Sequence, residues 1–259
     1  MASKGTHSAI AQVRADAITV RGQDLCKDLI GKVGFTDYFL LLLTGERPTP
    51  RLSRMVDACL VAIAEHGLVP SIQAARMTYA AAPDALQGAV SAGLLGCGSV
   101  ILGASETAGQ MLARILGEAQ DGELQAAALA HLKQLRQARL PLPGFGHPVH
   151  RQADPRAQRL LALAQEEGVA GRHVQALRAV EGQVQAVYGR FLPMNVSAAI
   201  PAVLLDAGFP LPALRGIPLL ARTASLLGHL MEEREQPLGF RLAELAEAGL
   251  QDGPGAASA

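Results

Sequence analysis

The sequence predicts an all-α protein, and two observations carry that prediction. Ala and Leu dominate while runs of β-branched residues are few, a balance that favours helix over strand. Apolar residues also recur at three- and four-residue intervals in several segments, the spacing that gathers them on one helical face.

The elements follow in chain order. Ile18-Thr19-Val20, ahead of Arg21-Gly22, is the stretch that predicts a short strand. Residues 36–44 read as a helix. After Arg51, the residues Leu52, Met55, Val56, Cys59, Leu60 and Ile63 share a helical face. Thr49 and Pro50 suit the start of that helix, and Gly67 suits its stop. Residues 84–96 predict a helix whose Ala89, Ala92, Gly93 and Gly96 allow tight packing. A further helix opens at Asp154-Pro155, carries Leu160, Leu161 and Leu163, and ends at Gly168. Another runs from about Asn195 to Gly208. The last runs from Pro212 through Glu232-Glu233-Arg234-Glu235, read as a solvated face, to Pro237. There is no internal repeat, and the tail after Gly249 is small and polar, so it is expected to fray.

The conspicuous non-helical stretch is Leu140 to Asp154, LPLPGFGHPVHRQAD. Its two glycines and three prolines bracket His147 and stop any helix. A rigid loop containing glycine lets backbone NH groups approach a ligand closely. On pattern alone it is either a site or an ordinary connection between helices.

Composition narrows the classes of function. A chain of 259 residues can bury a large core, as one big domain or two modest ones. With 49% hydrophobic and 18% charged residues it is globular rather than disordered. The 23 acidic and 23 basic residues cancel, against a phosphate-backbone binder that needs surplus clustered cation. Aromatics make up 3% with no Trp, which disfavours base-stacking platforms, so no nucleic-acid partner is expected. Cys26, Cys59 and Cys97 are far apart and lack CxxC spacing. They read as small buried hydrophobes in a reducing cytoplasm, not as a disulfide frame or a zinc site. The first twenty residues lack a signal-like apolar stretch, and no later segment offers about 20 uninterrupted apolar residues. A soluble, cytoplasmic protein with no membrane association and no metal is expected.

The Leu140–Asp154 loop also carries a family resemblance. GFGHPVHRQADPRA resembles the GFGH-x-V-x-x-x-x-DPR-A segment of citrate synthases and citryl-CoA lyases, with His147 followed nine residues later by Arg156. VRGQDLCKDLIGKVGFTDYFLLLLTGERPT resembles the family's opening. AIAEHGLVPSIQAAR resembles the region where a histidine, here His66, follows an acidic residue. MNVSAAIPAVLLDAGFP resembles the NVD segment, and LLARTASLLGHLMEERE the late helix with an arginine, here Arg222. The resemblance covers roughly residues 18 to 236. It implies a large helical domain from 1–103 and 206–259 and a smaller inserted helical domain from 104–205. It also implies an active site in a cleft that closes on substrate, and a homodimer.

The resemblance implies roles for particular residues. His66, His147, Arg156 and Arg222 would hold an oxaloacetate-like dicarboxylate, since the planar guanidinium fork suits carboxylates. His147 would also hydrogen-bond the carbonyl that becomes the alkoxide. Pro143, Gly144, Phe145 and Gly146 would line the path of the coenzyme A arm. Each has a plainer reading: Arg156 as a solvated first-turn residue, Arg222 as a buried salt-bridge partner, and His66 as a cation at a helix C-terminus. His229, two turns beyond Arg222, reads as a core or interface residue.

Two positions depart from the synthase pattern. Ile101, in GSVILGASE, stands where a synthase places the histidine that stabilises the thioester enolate. An apolar residue there also occurs on the lyase side of the family. Ser197 stands where the family's aspartate moves a proton at the acetyl methyl carbon. A serine cannot act as a carboxylate base without an activating partner, and Glu106 is a candidate substitute. Arg234 and Arg241 are candidates for the arginine that the family donates to a second subunit. The expected activity is a citryl-CoA lyase-like cleavage of a coenzyme A thioester into acetyl-CoA, or a short acyl-CoA, and oxaloacetate or a related oxo acid. A condensing synthase, or a non-catalytic relative that binds coenzyme A or a dicarboxylate, stands as the alternative.

Overall fold

The computed structural model describes residues 8–119, 123–146 and 151–250. Among these residues the protein is overwhelmingly helical, as expected, and it divides into two compact units. The first comprises residues 1–59 and 108–214; the second comprises 60–107 and 215–259.

The first unit opens with a small antiparallel sheet, β1 (Ala11–Val13), β2 (Ile18–Val20) and β3 (Gln23–Asp24), in the order β1-β2-β3. β2 is the strand expected from sequence. β1 and β3 are too short for a sequence pattern to mark them and are held by their ladders to β2. The Arg21 guanidinium donates twice to the Leu42 carbonyl, tying the sheet to α1 (Phe35–Thr44). A cluster of Val20, Leu29 and Leu41 closes this corner.

Helix α2 (Pro50–Ala64) begins in this unit and continues into the second, which also holds α3 (Pro70–Ala81) and α4 (Leu86–Leu102). Helix α5 (Ala104–Glu118) returns the chain to the first unit. There follow α6 (Leu124–Gln137), α7 (Pro155–Glu166), α8 (Arg172–Tyr188) and α9 (Val196–Asp206), with α6 on α8, and α9 against both α7 and α8. A short 3-10 turn at Leu211–Ala213 precedes α10 (Gly216–Glu235) and α11 (Gly239–Ala248) in the second unit.

In the second unit α3 packs on α4, α10 and α11 around Ile72, Ala75, Tyr79, Ala89, Leu226 and Leu230. The small residues of α4 work as expected: a Cβ added at Gly93 would collide with the Leu226 side chain. Three features differ from expectation. Cys59 and Cys97 are buried, but Cys26 is exposed. The helix expected at 84–96 runs on to Leu102, interrupted by non-helical backbone at Gly98. The stretch Leu86–Glu118 is long and apolar enough to cross a membrane by length and composition, with 33% of its most apolar window buried. The polar tail after Gly249 lies, from residue 251, outside the described residues.

Candidate active site

In the first unit three segments far apart in sequence meet. Backbone bonds join the glycine loop to the lead-in of α9: Gly146 donates to the Pro193 carbonyl at 2.7 Å, and Asn195 donates to the Gly144 carbonyl at 2.9 Å. A bridge pairs Phe145 with Met194. The Asn195 side chain works at both ends. Its amide donates to the Gly146 carbonyl at 2.7 Å while its Oδ1 caps α9 by accepting from the Ser197 amide at 2.9 Å. Both glycines have positive φ, 76° at Gly144 and 86° at Gly146, a region that side chains other than glycine enter at a cost. A Cβ at Gly144 would collide with the Ala198 side chain and lie 2.8 Å from its Cα. The glycines expected to permit close ligand approach therefore first permit close approach to α9.

Asp154 joins the third segment to the other two. Its Oδ1 accepts from the Arg156 amide at 3.0 Å as the cap of α7, and its Oδ2 accepts from the Val196 amide at 3.0 Å. One buried carboxylate thus binds the N-termini of α7 and α9, where backbone donors favour an anion. The Arg156 guanidinium donates to both carboxylate oxygens at 3.0 and 2.9 Å. Burial alone would raise the Asp154 carboxyl, but Arg156 and the Val196 amide outweigh it and hold the group below the usual carboxylate range. Arg156 is half-buried and oriented, not a solvated first-turn residue. This unit therefore brings Pro143–Gly146, Arg156 and Ser197 into one cluster. His147 lies outside the described residues.

The second unit carries His66 and Arg222. His66 is exposed on the turn after α2, and Arg222 is buried on α10. An Arg222 Nη1 approaches the Ala64 carbonyl at 3.5 Å, two residues from His66. Glu65, between them in sequence, accepts from the Ser225 hydroxyl at 2.7 Å and the Gly67 amide at 2.5 Å, and lies 3.0 Å from His229 Nε2. Burial pushes the Glu65 carboxyl up, yet the Ser225, His229 and Gly67 bonds more than reverse this and bring it to about 2.

Behind His229 sits Arg76, fully buried on α3. Its guanidinium reaches His229 Nδ1 at 3.2 Å and donates to Glu232 and Glu233, each at 2.6 Å. Glu233 in turn caps α11 through the Leu238 and Gly239 amides. The solvated face expected for residues 232–235 holds for Glu232, Arg234 and Glu235, which are exposed, and is corrected at Glu233, which is buried; Glu232 also pairs with a buried cation. Arg76, in an otherwise small and apolar register of α3, was the available signal for this network, but its partners stand some 150 residues away.

The remaining candidates fall elsewhere. Glu106 forms an ion pair with Arg215 at 2.7 Å. Ile101 is partly exposed near the end of α4. Arg234 and Arg241 are exposed. Among the described residues no group of three or more His, Cys, Asp or Glu side chains is placed to hold a metal ion.

Comparison with known proteins gives these clusters a context. Residues 6–242 match the family model described as citrate synthase, C-terminal domain. A citrate synthase of Heyndrickxia coagulans is 29% identical over 214 residues, covering 81% of this chain and 55% of the relative. The chain thus spans about half the length of the curated relatives it matches. The structure of a citryl-CoA lyase from Hydrogenobacter thermophilus superposes with a TM-score of 0.83 at 29% identity, covering 98% of this chain and 97% of that one. An ATP citrate lyase from Methanothrix soehngenii, in complex with citrate and coenzyme A, gives a TM-score of 0.78 at 20% identity, over 96% of this chain and 42% of that one.

Proposed function

Because the chain belongs to the citrate synthase family, we propose that it is an enzyme acting on a coenzyme A thioester in the manner of a citryl-CoA lyase. The observation that carries this reading is the near end-to-end likeness to a citryl-CoA lyase, over 98% of one chain and 97% of the other. Ile101, where a synthase would place its enolate-stabilising histidine, leans the same way.

In this reading the substrate is a citryl-type thioester, cleaved to acetyl-CoA or a short acyl-CoA and oxaloacetate or a related oxo acid. Cleavage breaks the bond between the thioester methylene and the hydroxyl-bearing carbon. The hydroxyl loses its proton as a carbonyl forms, and the departing carbanion collects a proton as the enolate collapses. Arg156, Arg222, His66 and His147 hold the carboxylates and the developing oxygen charge. Pre-oriented donors of this kind stabilise charge without reorganising during reaction. Pro143 to Gly146 flank the coenzyme A arm. The division into a large domain and an inserted domain at 104–205, a homodimer and a cytoplasmic setting belong to this proposal.

The decisive assay pairs citryl-CoA with oxaloacetate plus acetyl-CoA, following oxaloacetate and thiol separately. Oxaloacetate released from citryl-CoA without thiol is the expected result. Condensation alone would favour a synthase, the activity after which the curated relatives are named. Silence in both directions from folded protein that still binds coenzyme A would mean a different substrate or a binding role. That third outcome has its own support in Ser197, because loss of a positioned acid or base typically removes about 10²–10⁴-fold in rate. A Ser197→Asp variant should then gain activity if the scaffold is a weakened enzyme.

A further inference from the structure

We propose that Glu65 is a positioning residue that ties the turn carrying His66 to α10, the helix that carries Arg222, and that His229 and Ser225 hold it in place for that purpose. The inference rests on the reading of His66 and Arg222 as the dicarboxylate clamp.

The location of Glu65 is the first argument. It follows the last residue of α2, at the negative end of the helix dipole, where a carboxylate is disfavoured. Its side chain is 56% exposed, so it could turn into water at little cost. Instead it gathers Ser225, the Gly67 amide and His229. One carboxylate oxygen closes over His66 to Gly67, and the other is pinned to α10.

The second argument is the direction of the chain of bonds. A guanidinium has no acceptor, so His229 Nδ1 must accept from Arg76 and Nε2 must carry the proton given to Glu65. Glu232 lies 3.8 Å from the same Nδ1 and takes its own bond from Arg76. The fully buried guanidinium thus sets the tautomer of His229, and His229 sets the orientation of Glu65. Arg222, Ser225 and His229 lie at i, i+3 and i+7 along α10, which puts the clamp arginine and both Glu65 anchors on one helical face. A solvent-facing carboxylate needs no such support for folding, whereas a substrate ligand on a turn needs it for precision.

The test uses protein labelled at histidine and follows the His66 imidazole by NMR, with the resonance assigned through a His66→Gln variant. Glu65→Gln and His229→Leu are expected to shift or broaden that resonance. His229→Gln should leave it at the wild-type position, since a glutamine can accept from Arg76 and donate to Glu65 where a leucine of similar size can do neither. Calorimetry with oxaloacetate should show binding weakened about tenfold in the first two variants and unchanged in His229→Gln. A His66 resonance that stays at its wild-type position in both Glu65→Gln and His229→Leu overturns the proposal. Wild-type protein that binds no oxaloacetate, while the resonance still moves, upholds the positioning role and removes the dicarboxylate from the proposed function.

Discussion

At the scale of single residues, the clearest constraint is Gly144. Its φ of 76° and its contact with Ala198 act together. A Gly144→Ala variant meets both the left-handed backbone penalty and an overpacked contact with buried α9. We expect a loss of roughly 2–4 kcal/mol, read from urea unfolding. The sequence marks this glycine as special through its place among prolines, and the resemblance marks it as part of the site. It does not say that the first thing the glycine must approach is the protein's own helix. Glu65 was legible only as an acidic neighbour of His66, since Ser225 and His229 reach it from 160 and 164 residues away. Glu106 illustrates the converse. Its closeness in sequence to Ile101 suggests a chemical role, and the structure adds a partner that the sequence does not show, Arg215 at 2.7 Å.

At the scale of elements, helix starts read well because their signals are local. Asp154-Pro155 and Asn195 announce α7 and α9, and both side chains cap the helices they precede. Truncating Asn195 to Ala should cost about 1 kcal/mol for the lost cap, and somewhat more because its amide also holds the Gly146 carbonyl. Thermal unfolding of the variant checks this. β1 was not legible, because Ala11–Val13 is exposed and only three residues long; its pairing with β2 makes it a strand. The cross-link between α3 and α10 was likewise hidden, since a buried arginine reads from sequence as an interruption. Replacing Arg76 by Met leaves Glu233 buried without its cation and should destabilise the protein by about 3–5 kcal/mol in urea unfolding.

At the scale of the whole molecule, balanced charge on the sequence conceals an asymmetric response to acid. Glu65, Asp154, Asp206 and Glu233 are all held below their usual range. In each case opposing burial is outweighed by bonds from hydroxyls, cations, imidazoles or backbone amides. A carboxyl depressed in the folded state contributes stability that is fully present above its unfolded value, near 4. That contribution is lost as pH falls through the folded value. The melting temperature should therefore hold as pH falls toward about 5 and drop steeply between about 4 and 2, where Glu65 itself titrates. A profile flat to pH 2 would contradict these carboxylate placements. The all-helical class was legible from composition and periodicity alone. The family was legible from motif order, which survives in a chain that spans about half the length of the curated relatives it matches.

The carboxylate of Asp154 also sets an order of events in refolding. Its partner Val196 is 42 residues away, and Asn195 and the Gly146 carbonyl are separated by 49. Helices nucleate from neighbours within microseconds, but contacts of this span must first close a long loop. Removing the interaction by Asp154→Asn should accelerate unfolding while leaving the folding rate nearly unchanged, the behaviour of a contact made after the rate-limiting step. In stopped-flow refolding, helical ellipticity should recover ahead of any ligand affinity. A newly made chain would then be helical before the glycine loop and the starts of α7 and α9 are locked together.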